Sequence, residues 1–218
     1  MIKAIVFDMG GVILNLDLAA AHKAFRDDLG FADIEDYLNN YHQVGFFEAI
    51  ENGSMSMEEF YPLCLSHCRP GVTPEMILGA FRCFVQSFND GVVGLLKELS
   101  QQYALYLLSN NNPMSMSLLS SEFEAAGLDL DAIFKEQFCS YRLRMMKPGR
   151  EIFEYAQSCI GCEPDEILFI DDSASNIAGA KDLGWRTLLY VPGTPIRDVV
   201  LAALEIPDLR PSGSVRND

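Results

Sequence analysis

The run Ile2-Lys3-Ala4-Ile5-Val6-Phe7 ends abruptly in Asp8, and Gly10-Gly11 follow before the chain turns apolar again at Val12-Ile13-Leu14. This pattern is that of a buried strand with a carboxylate at its C-terminal end. In an open parallel sheet that edge is where ligands bind. The two glycines let the backbone turn tightly and approach a ligand closely. An acid opening such a turn is either a hydrogen-bonded turn former or a reactive group. The rest of the chain decides between them.

No further strand is expected before Tyr103, and helical signals fill the interval. Leu16, Ala19, Ala20, Ala24 and Phe25 recur at helical spacing, with Gly30 closing the segment. Asp33 reads as the N-cap of a helix through Leu38, and Phe46, Phe47 and Ile50 mark another that stops at Asn52-Gly53. Ser56-Met57-Glu58-Glu59 is a capping box, and Thr73-Pro74-Glu75 places proline at its favoured first helical position. From Asp90 helices and strands alternate. Strands are expected over 103–108, 138–140, 167–170 and 185–191, and helices over 92–99, from Lys147-Pro148, over 173–183 and over 195–204. The tail from Pro207 reads as loose.

The fold class is therefore α/β, a doubly wound, mostly parallel sheet with an inserted helical-bundle cap. Residues 1–16 and 89–218 form the core and 17–88 the cap. An insertion of about 70 residues far exceeds an ordinary βα connection and suits a lid or substrate domain.

A formal charge of −15 over 218 residues argues against nucleic acid or an anionic membrane as partner. Met1-Ile2-Lys3 leads straight into the first strand, and no apolar run approaches the roughly 20 residues of a membrane span. A cytoplasmic protein is the expectation. Six cysteines form no disulfide framework in this setting. Cys64, His67 and Cys68 share a helix, and Cys159 and Cys162 have CxxC spacing, but buried thiols are the better reading of both.

The predicted strand ends carry Asp8, Ser109-Asn110 and Asp171-Asp172, and Lys147 opens a helix on the same edge. Singly these are weak signals. Jointly they gather three carboxylates, a lysine and a hydroxyl at one crevice. Clustered carboxylates repel unless a cation intervenes, and Mg²⁺ takes one or two of them with water and phosphate oxygens. The hydroxyl, nearby N–H groups and lysine suit a phosphate, and Asp8 can then be an activated carboxylate nucleophile.

In order and spacing, FDMGGVIL, LLSNNNP, Lys147 in MMKPGREIF, and FIDDSASNIAGAKDLGW resemble the four motifs of the haloacid dehalogenase superfamily. The likeness is to its helical-cap phosphatases. NYHQVGFFEAIENGSMSMEEF resembles the cap stretch of a subgroup with an FDxGGV or FDxGNV first motif, which includes glucose-1-phosphatase-like proteins. The resemblance implies an aspartyl-phosphate on Asp8. It implies Mg²⁺ held by Asp8, the Gly10 carbonyl and Asp172, with Asp171 in or just behind the ligand set. Ser109, Asn110 and Gly11 would contact the phosphate, and Lys147 would offset charge in the transition state. Asn176 would orient the metal-site loop, or simply face the previous turn. The implied partner is a small phosphorylated metabolite, handled by a monomer or homodimer.

One position departs from the family pattern. Phosphatases of this family usually carry a second Asp two residues after the nucleophile as general acid and base, and here that residue is Gly10. Loss of a general acid typically costs roughly 10² to 10⁴ in rate. Three explanations stay open: a substrate with a good leaving group, a proton from the cap or water with His42 as candidate, or a lapsed enzyme that binds without turnover. Dehalogenation would dispense with the paired acids Asp171 and Asp172, and a phosphomutase would need the missing acid. A second departure is Arg144, where relatives often have glycine; its side chain is expected to face solvent.

Overall fold

A computed structural model of the chain describes residues 1–39 and 43–205. Strands β1 (Ala4–Phe7), β4 (Ala104–Ser109), β5 (Glu136–Cys139), β6 (Ile167–Asp171) and β7 (Arg186–Leu189) form one sheet in the order β5-β4-β1-β6-β7. Every pairing is parallel. Two shorter strands, β2 (Leu14–Leu16) and β3 (Val85–Phe88), make a separate antiparallel ribbon.

Helices α1 (Leu18–Lys23), α2 (Phe46–Glu51), α3 (Met57–Ser66) and α4 (Pro74–Arg82) lie between β2 and β3. The helices after β3 are α5 (Val92–Leu99), α6 (Pro113–Ala125), α7 (Leu130–Ile133), α8 (Ser140–Leu143), α9 (Arg150–Ile160), α10 (Ala174–Asp182) and α11 (Ile196–Glu205).

Side chains alternate across the sheet with the two-residue period of a strand. Ile5, Phe7, Leu105, Leu107, Leu168 and Ile170 face one apolar cluster. Ala4, Val6, Leu108, Ile167 and Phe169 face the other, with Phe153 and Trp185. Because helices cover both faces, the inner strands β1 and β6 are buried on both sides, which is why they read as unbroken apolar runs. The first cluster continues into the insertion through Phe25, Phe31, Phe46, Phe47, Phe60 and Phe81. Phe46 and Phe47 belong to this core, and His67 stacks on Phe31 at 4.8 Å between ring centres. His22 is bonded to the Leu38 carbonyl, 2.7 Å away.

The capping signals act as expected. Ser56 Oγ accepts from the Glu59 N–H while the Glu59 carboxylate accepts from the Ser56 N–H, and Thr73 caps α4. Three details differ from the sequence reading. The interval before residue 103 contains two strands: β2 and β3 are only three and four residues long, too short for alternation to stand out. The first helix turns into a π-helical segment at Ala24–Asp28. Asp33 heads only a short 3₁₀ turn, Ile34–Asp36, without a side-chain cap. The tail from Pro207 lies outside the described residues, and no described helix is long and apolar enough to cross a membrane.

Candidate active site

Parallel pairing of β4, β1 and β6 aligns their C-terminal ends, so Asp8, Ser109 and Asp171 emerge on one edge. Lys147 lies in the turn before α9 rather than within that helix, and it is almost wholly buried. Its Nζ is 2.9 Å from Asp8 Oδ1 and 2.6 Å from Asp171 Oδ2. Burial works against the lysine charge, but Asp171 and then Asp8 outweigh it and hold its pKa above the ordinary value. Removing one member of such a buried ion cluster typically costs about 3–5 kcal/mol, because the others are left unpaired.

The side chain of Asn110 serves this lysine. Its Nδ2 donates to the Lys147 carbonyl and its Oδ1 accepts from the Lys147 N–H, both at 2.8 Å. Asp171 is fully buried and accepts from Lys147, from the Ser173 N–H (2.7 Å) and from Asn176 Nδ2 (3.1 Å). Asn176 thus orients the acid at the end of β6, and it also lines the cavity. Ser109 lines the same cavity beside Asp8 and Gly10.

Carboxylate oxygens of Asp8, Asp171 and Asp172 lie within 4.8 Å of one another. Burial first, with Asp171 adding to it, pushes Asp8 up to about 6 against the pull of Lys147. Burial, then Asp8 and Asp171, push Asp172 up to about 7. One lysine does not neutralise three acids, and a hard divalent cation with oxygen ligands would. Gly11 departs from its expected place. Its N–H donates to the Leu14 carbonyl at 2.8 Å, so that group is spent within the turn. Its φ of +72° and missing side chain instead make room for Asp172, whose Cγ would lie 2.8 Å from a Cβ there.

A model of the haloacid dehalogenase-like hydrolases matches residues 2–184. The chain belongs to this family. The D-ribitol-5-phosphate phosphatase of Bacteroides thetaiotaomicron is 38% identical to it over 188 residues, covering 86% of this chain and 91% of that one. A HAD-like family hydrolase from Porphyromonas gingivalis superposes with a TM-score of 0.86 at 31% identity, over 95% of this chain and all of that one. A HAD-family enzyme of Bacteroides thetaiotaomicron, in complex with magnesium and inorganic phosphate, superposes at 0.82 with 30% identity, over 88% and 96%.

In this haloacid dehalogenase-like hydrolase position 10, two residues after Asp8, carries no acid and is partly filled. Leu16 Cδ1 lies 3.1 Å from where a Cβ of residue 10 would be. His42, the candidate donor from the insertion, lies outside the described residues. The sequence reading missed two residues of the insertion. Gln43 and Glu51 are both buried and both line the cavity with Asp8. Gln43 is tied to the Asn39 main chain through both side-chain atoms. A signal for Glu51 was present, since at i+4 from Phe47 it shares the buried stripe of α2. Arg144 is exposed, as expected, and its φ of 55° accounts for glycine suiting that position.

Proposed function

We propose that the chain is a Mg²⁺-dependent phosphatase that removes phosphate from a small phosphorylated metabolite, of the sugar or polyol phosphate class. The observation that carries this reading is the buried lysine held between Asp8 and Asp171, with Asp172 on the same cavity wall. The phosphatase relative and the magnesium and phosphate in the superposed structure support it.

Asp8 is the nucleophile. Its carboxylate attacks phosphorus, forms an aspartyl-phosphate and is regenerated when water hydrolyses that intermediate. Lys147 keeps Asp8 ionised and faces the charge gathering on the phosphoryl group. Ser109 and the backbone at Asn110 bind phosphate oxygens, while the Asn110 side chain fixes Lys147. Asp8, Asp172 and the Gly10 carbonyl would hold Mg²⁺, with Asp171 turned toward Lys147 and Asn176. When bound, Mg²⁺ neutralises the carboxylates and polarises the phosphoryl oxygens. Residues 17–88 serve as a cap, entered and left at the β2–β3 ribbon, and supply Gln43 and Glu51 to the cavity. The enzyme works in the cytoplasm as a monomer or homodimer.

The test is a hydrolysis screen over phosphorylated metabolites with Mg²⁺ and with EDTA, repeated on Asp8→Asn. The expected result is metal-dependent turnover that falls by at least about 10³-fold in the variant. Wild-type rates no faster than those of Asp8→Asn on every substrate would defeat the reading and return the chain to a phosphate-binding protein.

A further inference from the structure

The described residues on the cavity wall include four titratable side chains, Asp8, Lys147, Asp172 and Glu51. The first three have places in the chemistry above; Glu51 does not. It is the last residue of α2, more than nine-tenths buried, and its carboxyl group has no hydrogen-bond partner among the described residues. An unpartnered buried acid costs several kcal/mol if ionised, so it persists in the neutral form or serves a ligand. Its main chain is anchored. Ser140 Oγ, at the start of α8, donates to the Glu51 carbonyl at 2.6 Å and accepts from the Asn111 N–H at 2.9 Å. One hydroxyl therefore ties the end of α2 to the loop that follows Ser109 and Asn110.

The cavity measures about 80 Å³, and Glu51 and Asp8 both line it. Burial, then Glu48 on its own helix and Asp8 on the same cavity wall, push Glu51 up to about 8. Helices α3 and α8, which pack on α2, contribute no charged described side chain to the cavity. Lys147 cannot take the role of proton donor without breaking its pairs to two carboxylates. Asp172 is committed to the cation, and Gly10 has no side chain.

We propose that Glu51 is the general acid and base of this enzyme, reaching the leaving oxygen from the insertion in place of a side chain at position 10. The proposal rests on the phosphatase reading. In the first half-reaction the Asp8 carboxylate forms a bond to phosphorus, the bond from phosphorus to the ester oxygen breaks, and that oxygen takes the Glu51 proton and leaves as the alcohol. In the second half-reaction the Glu51 carboxylate takes a proton from water as its oxygen attacks phosphorus. The bond from phosphorus to Asp8 then breaks, releasing inorganic phosphate and restoring the Asp8 carboxylate and the protonated Glu51.

The test compares Glu51→Gln and Glu51→Asp with wild type on two substrates. One is an alkyl phosphate, D-ribitol 5-phosphate, whose leaving oxygen needs a proton. The other is p-nitrophenyl phosphate, whose leaving group departs without one. Glu51→Gln should lower kcat on the alkyl phosphate by about 10²-fold or more and on the nitrophenyl ester by only about threefold. Glu51→Asp should recover part of the loss on the alkyl phosphate alone. Equal losses on both substrates, or none, would overturn the proposal while leaving the phosphatase reading intact. A wild type inactive on both, and on every substrate of the wider screen, would remove the phosphatase reading and this inference with it. Should Glu51→Gln fail to fold, the same difference between substrates in Glu51→Asp decides the matter.

Discussion

Gly11 occupies the turn after Asp8 with φ at +72°, and its missing Cβ leaves the space that the Asp172 carboxylate fills. Two penalties therefore fall on Gly11→Ala. The left-handed backbone costs an L-residue about 1–2 kcal/mol, and the new methyl group displaces the Asp172 carboxylate, the proposed cation ligand. The first lowers Tm by roughly 2–8 °C for a chain of this size. The second should raise the Mg²⁺ concentration needed for half-maximal rate by at least about tenfold, on the scale of losing one well-placed ligand contact. Thermal unfolding and Mg²⁺ titration of the rate separate the two effects. A variant with unchanged Mg²⁺ dependence would show that Asp172 has other room to move. Asp8, Lys147, Ser109 and Asp171 were legible in the sequence because a parallel sheet brings strand ends together, whatever their distance along the chain. Glu51 was legible only as a member of the buried stripe of α2, because nothing in spacing says which residue of a long insertion folds back over the crevice. Nor could the sequence reveal that the Asn110 side chain clasps Lys147, since that contact spans 37 positions.

At the scale of elements, the helices of the insertion were readable where capping chemistry marked them. Ser56 with Glu59, and Thr73 before Pro74, signal helix starts because each oxygen has a defined orphan N–H to satisfy. The β2–β3 ribbon had no such marker, and its partners lie about 70 positions apart in sequence. Register between the insertion and the sheet depends on few polar contacts, among which Ser140 stands out. Its Oγ bonds the Glu51 carbonyl, the Asn111 N–H and, at 3.1 Å, the Asn111 carbonyl, and it is fully buried. Ser140→Ala leaves the Asn111 N–H without its acceptor, at a cost of about 1–3 kcal/mol. The same change frees the end of α2. The expected outcome is a Tm lower by roughly 2–10 °C, together with a larger loss of kcat on an alkyl phosphate than on a nitrophenyl phosphate, because Glu51 is carried by that end. Loss of stability with identical losses on the two substrates would mean that α2 holds its place without the hydroxyl.

For the whole molecule, the carboxylates around the cavity set how stability changes with pH. Asp8, Asp172 and Glu51 all have folded-state pKa values raised above their unfolded ones, to about 6, 7 and 8. A raised acid pKa means that the folded state binds more protons than the unfolded state between the two values. The stability it contributes is fully present below about pH 4 and is lost as pH rises through the folded pKa. The metal-free protein should therefore lose stability steadily from about pH 4 to pH 8, on account of these groups. With Asp8 and Asp172 as the proposed ligands, Mg²⁺ should reverse the trend for both, because it would bind their ionised forms in the folded state only. At a concentration 100 times its dissociation constant a ligand adds about 2.7 kcal/mol, or roughly 5–10 °C in Tm here. Melting curves at pH 5.5 and pH 8, with EDTA and with saturating Mg²⁺, provide the check. The Mg²⁺-induced rise should be larger at pH 8 than at pH 5.5, and Asp172→Asn should abolish most of it at both. Glu51→Gln should flatten the metal-free decline above pH 7 yet leave the Mg²⁺ shift in place, since Glu51 lies outside the ligand set. A metal-free protein whose Tm rises between pH 5.5 and pH 8 would mean that the three acids are ionised in the folded state, and Glu51 could not then carry a proton to the leaving oxygen.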